Sequence, residues 1–328
     1  MTKIVVLGSN SFSGSDFIDL MLDDPQNKIV GISRSPEKSA LFLKFKKHPN
    51  VGNLITYPFD MNRYMESIIT VIEDIKPEYI VNFAAQSEVA PSWSFPEQWI
   101  RTNIESLTTL ITNIASKPWL KKYLHISSPE VYGTCNGNET LPYNPSTPYA
   151  VSKAAADMML KAYHRKYNFP IVTVRSANVY GPHQQLHKII PRAIIYMKLG
   201  KTLELHGGGA AVRSYVHIRD VSRAEKLVLE KGKIGEIYHI ATRKTISIFQ
   251  IVNLIAHMLG KDIKEVIKIT GDREEQDYIY SLDCAKIRYE LFWESEMSIS
   301  DGILEVIKWI DDNWEEIQKQ PLTYQHKV

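Results

Sequence analysis

The feature that most constrains this chain is an alternation, through its first half, of short apolar runs with longer amphipathic segments. Runs at 3–7, 28–33, 78–84, 122–127 and 170–175 read as strands. Segments near 14–23, 36–47, 61–74, 97–116 and 148–167 read as helices. Strands that are apolar along their whole length need cover on both faces, and a helix between successive strands makes them parallel. Pro77 stops the helix before Glu78, and Pro170 opens a strand, where its missing N–H is tolerated. The expected class is α/β, a doubly wound parallel sheet.

After Pro182 the rhythm changes. Segments 187–199 and 247–259 read as helices, and His206-Gly207-Gly208-Gly209 breaks the chain between them. This pattern predicts that residues 1–182 and about 216–243 form the sheet-based unit. About 183–215 and 244–317 would form a smaller α+β unit for the substrate, and 318–328 a frayed polar tail. The 328 residues are 44% hydrophobic and 23% charged, which excludes disorder for the bulk of the chain. With 39 Lys+Arg against 37 Asp+Glu there is no basic stripe for nucleic acid. Lys44, Lys46, Lys47 and His48 read as a solvated helix face without a role. Two cysteines, Cys135 and Cys284, cannot frame a chain of this size, so a reducing cytoplasm fits. The apolar run at 4–7 is too short for a signal or spanning segment, so no membrane partner is expected.

Gly8-Ser9-Asn10-Ser11-Phe12-Ser13-Gly14 lies directly between the first strand and the first helix. Such a turn sets backbone N–H groups and a helix N-terminus against a pyrophosphate, the Rossmann-type dinucleotide arrangement. Gly8 permits the tight turn and Gly14 close helix–strand packing, while Ser11 stands where a middle glycine is expected. At the end of the second strand, Ser33-Arg34-Ser35 offers no carboxylate for a ribose 2′-OH but does offer a guanidinium for a 2′-phosphate. The reading is NADP, with NAD as the alternative and Arg34 then stacking on adenine or facing solvent. Asp60 is an acceptor for the adenine amino group or, alternatively, an N-cap.

Tyr149 and Lys153 stand four apart on the helix after Pro148, so phenol and ammonium share a face. A neighbouring Lys⁺ is expected to lower the phenol pKa and make it a base toward a substrate hydroxyl. Ser128 and Glu130 follow a strand some twenty residues earlier and can meet the same substrate. With these motifs on view, the chain resembles the extended short-chain dehydrogenase/reductase family, and within it the nucleotide-sugar 4,6-dehydratases, from about residue 3 to about 311. Residues 82–87 resemble the segment beneath the nicotinamide ribose, 175–182 the segment bearing a substrate-phosphate Asn, and 203–207 with 213–221 the nucleotide pocket. Arg273, Asp277 and Tyr280 are similar to a second arginine region.

The resemblance implies a catalytic set of Ser128, Glu130, Tyr149 and Lys153. It implies cofactor contacts from Gly8, Asn10, Ser11, Phe12 and Gly14, from Ser33, Arg34 and Ser35, from Asp60 and Met61, from Ala84, Ala85, Gln86 and Asn103, and from Tyr149 and Lys153. Substrate contacts are implied for Ser87, Glu88, Ser128, Asn178, Arg192, Leu205, Arg213 and Arg273. In the family, Glu two places beyond the catalytic Ser marks removal of a C5 proton. Decarboxylases also carry it, while simple 4-epimerases usually lack it. Pro129 stands where dTDP-glucose dehydratases have the acid for the departing hydroxyl, as in the GDP-mannose branch. That acid is then Tyr149 after its first step, or Glu130 relaying its proton. The alternatives are a 4-epimerase, a decarboxylase or a catalytically silent dinucleotide sensor. A homodimer or dimer of dimers is implied through helices near 97–116 and 148–167. His183 and His187 lack the acid of a zinc motif, so no metal is expected. Trp293, Trp309 and Trp314 read as C-terminal packing. Trp93, with the 91–96 segment, reads as a flap over the sugar or as ordinary loop packing.

Overall fold

The computed structural model describes residues 1–271 and 279–326. Its centre is a sheet of β1 (Lys3–Leu7), β2 (Lys28–Ile32), β3 (Leu54–Tyr57), β4 (Tyr79–Asn82), β5 (Lys122–Ile126), β6 (Ile171–Ser176) and β7 (Ile237–Ile240). The spatial order is β7-β6-β5-β4-β1-β2-β3, with every pair parallel. Ile4 lies opposite Ile29 on one side and Tyr79 on the other.

Successive side chains of β1 feed opposite faces, as the pleat requires. Ile4 and Val6 pack with Phe17 and Ile18 of α1 (Phe12–Met21) and with Val221, Ala224 and Val228 of the helix Ile218–Lys231. Val5 and Leu7 pack with Ile68 and Ile72 of α2 (Met65–Ile75), Leu110, and Leu160 of α3 (Pro148–Tyr167). Each such fully buried aliphatic side chain contributes about 1.5–3 kcal/mol. The doubly wound Rossmann-type architecture follows from that two-sided demand.

A third cluster sits apart from the sheet. Ile190 and Ile194 of the helix Ile189–Lys198 meet Ile251 and Ile255 of Ile248–Met258 and Val306 and Ile310 of Ile299–Asp312. A parallel pair, Leu203–His206 with Ile267–Thr270, lies beside them. Trp309 is buried in this cluster and Trp314 packs on it, while Trp293 joins the sheet-side core and donates to the Asp220 carbonyl at 3.1 Å.

The fold departs from the sequence pattern in places. Residues 36–43 form no helix, and only a short 3-10 turn, Lys44–Lys47, follows. Leu41, Leu43 and Phe45 are all buried, a spacing of two that no single face of an α-helix can bury. Lys44 and Lys46 of the basic cluster are ion-paired, to Asp16 at 3.2 Å and to Glu37 at 3.0 Å, and His48 Nε2 lies 3.1 Å from an Asp23 carboxylate oxygen. Within the described residues the tail is packed rather than frayed. Leu322 packs on the third cluster and His326 stacks on Phe95 with ring centroids 5.1 Å apart. Among the described residues no helix is long and apolar enough to cross a membrane.

Candidate active site

The strand order reverses between β4 and β1, and the chain leaves both strands side by side at this switch point. Gly8 has φ +81°, and a Cβ there would lie 2.7 Å from the Ala84 nitrogen. Only glycine lets these two exits meet. A Cβ on Gly14 would strike the Gly8 carbonyl at 2.5 Å, so the second glycine is equally required. Ser11, in the place of a middle glycine, caps α1: its Oγ accepts from the Gly14 N–H at 3.0 Å. Phe12 and Gly14 lie in the first turn of α1 beneath this loop.

Around the switch point runs a cleft of about 710 Å³. Gly8, Asn10 and Ser11 line it from the first turn, and Ser33, Arg34 and Ser35 from the end of β2. Asp60 and Met61 come from the end of β3, and Ala84, Ala85, Gln86, Ser87 and Glu88 from the end of β4. Asn10 cross-links two of these loops: its N–H donates to Ser33 Oγ at 2.8 Å and its Nδ2 to the Ser35 carbonyl at 2.7 Å. Asp60 holds its own turn as well, accepting from the Asn62 N–H at 2.9 Å. The donor set fits a dinucleotide: glycine-permitted close approach, a capped helix N-terminus and a cleft of ligand size.

Asn103 lies on a π-helical turn, Arg101–Ser106, inside the 96–114 helix. Its Oδ1 accepts from the Gln86 N–H at 2.9 Å, and its Nδ2 donates to the Gln86 carbonyl at 3.0 Å and to Ser152 Oγ at 2.9 Å. The structure therefore places Asn103 as a clamp between the cleft loop and α3. It acts on the cleft through Gln86.

Beside the cleft, Thr147 caps α3 and Tyr149 and Lys153 follow, both buried. Tyr149 is hydrogen-bonded to Ser128, whose Oγ also accepts from the Glu130 N–H at 3.3 Å and so caps the turn Pro129–Tyr132. Ser128, Glu130 and Tyr149 thus come together. The electrostatic expectation is reversed, however: burial first, and then the Glu130 charge, push the phenol pKa up. Lys153 Nζ donates to the Ile126 carbonyl at 2.7 Å, and burial lowers its pKa to about 8 against the pull of Asp157.

Beneath Lys153 is a buried network that the sequence reading missed. Asp157 Oδ2 accepts from Ser127 Oγ at 2.7 Å and from Arg175 Nη2 at 2.7 Å, and its Oδ1 is 3.4 Å from His125 Nε2. Arg175 also donates to the hydroxyls of Tyr132 and, at 2.9 Å, Tyr143. His125 and Arg175 draw the Asp157 carboxyl far below its usual range although burial opposes them. The available signal was spacing, since Asp157 repeats the four-residue step from Tyr149 through Lys153.

The expected substrate residues are more scattered. Burial would raise Glu88, but His187 and the Lys188 ammonium at 2.7 Å outweigh it and bring its pKa to about 2. His187 Nε2 is 3.5 Å from the same oxygen, an ion-pair distance long for a hydrogen bond. His183 instead faces the Leu41 carbonyl at 2.8 Å. Asn178 opens the strand Asn178–Tyr180, and Arg213 is buried with Nη1 on the Val212 carbonyl at 2.8 Å. Arg192 lies over the Tyr196 ring at 5.7 Å. The Leu205 side chain is buried in the third cluster and leaves only its backbone to a ligand. Trp93 is half exposed on the helix Val89–Ser94. Arg273 and Asp277 lie outside the described residues, as does the side chain of Tyr280.

Residues 5–306 match the family model described as GDP-mannose 4,6 dehydratase. The chain belongs to the GDP-mannose 4,6-dehydratase family. Within the extended short-chain dehydrogenases/reductases, this is the nucleotide-sugar 4,6-dehydratase kind that the motifs resemble. Among curated relatives, the dTDP-glucose 4,6-dehydratase of Haemophilus influenzae is 31% identical over 94% of this chain and 98% of its own. The human dTDP-D-glucose 4,6-dehydratase is 29% identical over 97% and 93%. The dTDP-glucose 4,6-dehydratase DesIV of Streptomyces venezuelae, solved with NAD and TYD bound, superposes with a TM-score of 0.88 at 29% identity, covering 96% of this chain and 98% of that one. A UDP-glucuronic acid 4-epimerase of Bacillus cereus, solved with UDP-glucuronic acid and NAD, gives 0.84 at 25% identity over 95% and 99%.

Proposed function

We propose that this family member converts a nucleotide-linked hexose to its 4-keto-6-deoxy derivative. The observation that carries the reading is the meeting of Ser128, Glu130 and Tyr149 above Lys153, beside a dinucleotide cleft. When bound there, the dinucleotide supplies a reversible hydride acceptor. Ser128 holds the sugar C4 hydroxyl against the Tyr149 oxygen. The burial that raises the Tyr149 pKa makes its phenolate a strong base once formed, and the Lys153 charge offsets the cost of forming it. A C4 ketone acidifies the C5–H bond, and Glu130 takes that proton as hydroxide leaves C6 with a proton from Tyr149 or Glu130. A hydride lost from C4 and regained at C6, with the second proton held by Tyr149 or Glu130 returned to C5, leaves no net oxidation, and the balance is loss of water.

NADP is the proposed cofactor. Ser33 takes the place of a ribose-binding carboxylate, and Arg34 and Lys38 line that part of the cleft. NAD in the neighbouring dehydratase structures favours the other dinucleotide as a second reading. The smaller α+β unit is proposed to bind the nucleotide, and the enzyme to work in the cytoplasm. A homodimer is proposed through the 96–114 helix and α3, where Ile100, Val151 and Met158 are exposed.

Glu130→Gln tests the reaction. Gln is nearly isosteric and keeps hydrogen bonding, so its effect reports lost basicity. With the true sugar nucleotide, the first hydride transfer should survive and reduced-cofactor absorbance near 340 nm should persist, with little dehydrated product. Near wild-type product formation refutes the role of Glu130. If the wild type removes no water from any nucleotide hexose, the epimerase reading replaces this one.

A further inference from the structure

The C-terminal segment bridges the dinucleotide cleft. Glu316, Gln320 and Pro321, then Thr323, Tyr324 and Gln325, line the same cleft as Gly8, Arg34 and Asp60. The bridge is fixed at both ends. On the near side Leu322 packs against the third core cluster. On the far side His326 lies parallel to Phe95 and Trp99, its ring 4° from each plane at 5.1 and 5.8 Å. His326 Nε2 is 2.8 Å from Gln98 Oε1, a contact across 228 positions of sequence, and its Nδ1 is 3.1 Å from the Tyr324 hydroxyl. Between the anchors, Tyr324 sets its ring against His187 at 5.4 Å, beside the Glu88 pair. Its phenol pKa is raised, by burial first and then by Glu88, with Arg34 opposing, so Tyr324 feels charges from both ends of the cleft.

We propose that residues 316–326 are a strap that retains the dinucleotide between turnovers, offering the neutral donors of Thr323, Tyr324 and Gln325 to its ribose and phosphate groups. The inference rests on the proposed reaction, because an enzyme that returns its hydride has no need to exchange the cofactor. A wall already anchored before binding pays little ordering entropy, and its effect falls on release.

Release is measured without any sugar, by chasing the fluorescence of bound NADPH, and separately NADH, with excess oxidised cofactor. Three full-length or near full-length proteins are compared: the wild type, a chain ending at Leu322, and His326→Ala. Ending at Leu322 leaves the core contact in place, and His326→Ala removes the far anchor together with its contact to the Tyr324 hydroxyl. Release should be at least about tenfold faster from the shortened chain and several-fold faster from His326→Ala. Rates within twofold of the wild type in both variants overturn the strap. Slower release from the shortened chain also overturns it, since the tail would then be an obstruction. Because no sugar is present, failure of the strap stays separate from failure of the dehydration chemistry, which the Glu130→Gln product assay reads.

Discussion

Asp157→Asn keeps the shape of a fully buried carboxylate and removes its charge. At 2.7 Å from Arg175, the attraction is about 6 kcal/mol for an effective dielectric constant of about 20. Much of that offsets the desolvation of both groups, so the measurable quantity is the cost of leaving Arg175 buried without its anion, about 3–5 kcal/mol. That is a large part of the roughly 5–15 kcal/mol by which folded proteins are stable. Urea unfolding of the variant and the wild type, followed by far-UV circular dichroism, reads it directly. The double change Asp157→Leu with Arg175→Met should recover most of the loss, because the stranded charge is gone. A second readout separates positioning from stability. Asp157 favours the Lys153 ammonium, so removing it lowers the Lys153 pKa below about 8. If the charged ammonium supports Tyr149, the alkaline fall in turnover should then move to lower pH. A loss of stability under about 1 kcal/mol, or an unmoved pH profile, refutes the reasoning.

Tyr149→Phe should lower turnover by ~10²-fold or more, as expected for loss of a general base. Dinucleotide affinity, read by fluorescence titration, should hardly change, and a variant keeping more than about a tenth of the rate sinks the assignment. Arg34→Asp should shift cofactor preference toward NAD, because a carboxylate accepts from a ribose 2′-OH and repels a 2′-phosphate. Equal wild-type affinity for both dinucleotides counts against selection by Arg34.

What was legible in the sequence, and what was not, divides along physical lines. The five strands read from apolar runs are the interior ones, buried on both faces. The two missed, β3 and β7, are the edges of the sheet and only four residues long. In β3 the neighbours alternate too weakly to stand out, with Ile55 58% exposed. The turn from Gly8 to Gly14 was legible because a positive φ and two backbone collisions leave few alternatives. Ser128, Glu130, Tyr149 and Lys153 were legible because short spacings set them. Asn103 was attributed to the cofactor, whereas its amide is spent on Gln86, a partner 17 positions away through a π turn that no local pattern announces. The tail was misread for a related reason. Its polar residues look like solvated chain, and their partners at Phe95, Gln98 and Trp99 are more than two hundred positions distant.

Helix geometry explains why the catalytic pair and the buried network belong together. Four residues turn an α-helix through about 400°, so each four-residue step drifts about 40° around the axis. Tyr149, Lys153 and Asp157 therefore trace a slow coil along α3 and not a straight stripe. The first reaches Ser128 at the edge of the site, the second the Ile126 carbonyl at the end of β5, and the third Arg175 on β6. The charge that tunes Lys153 is thus held by strands of the main sheet, behind side chains that exclude water. A solvated carboxylate at that distance would be screened, whereas this one acts through a medium of low dielectric. The burial that costs stability for these charged groups makes the pull of Asp157 on Lys153 strong, whereas at Tyr149 burial and the Glu130 charge are larger influences than Asp157.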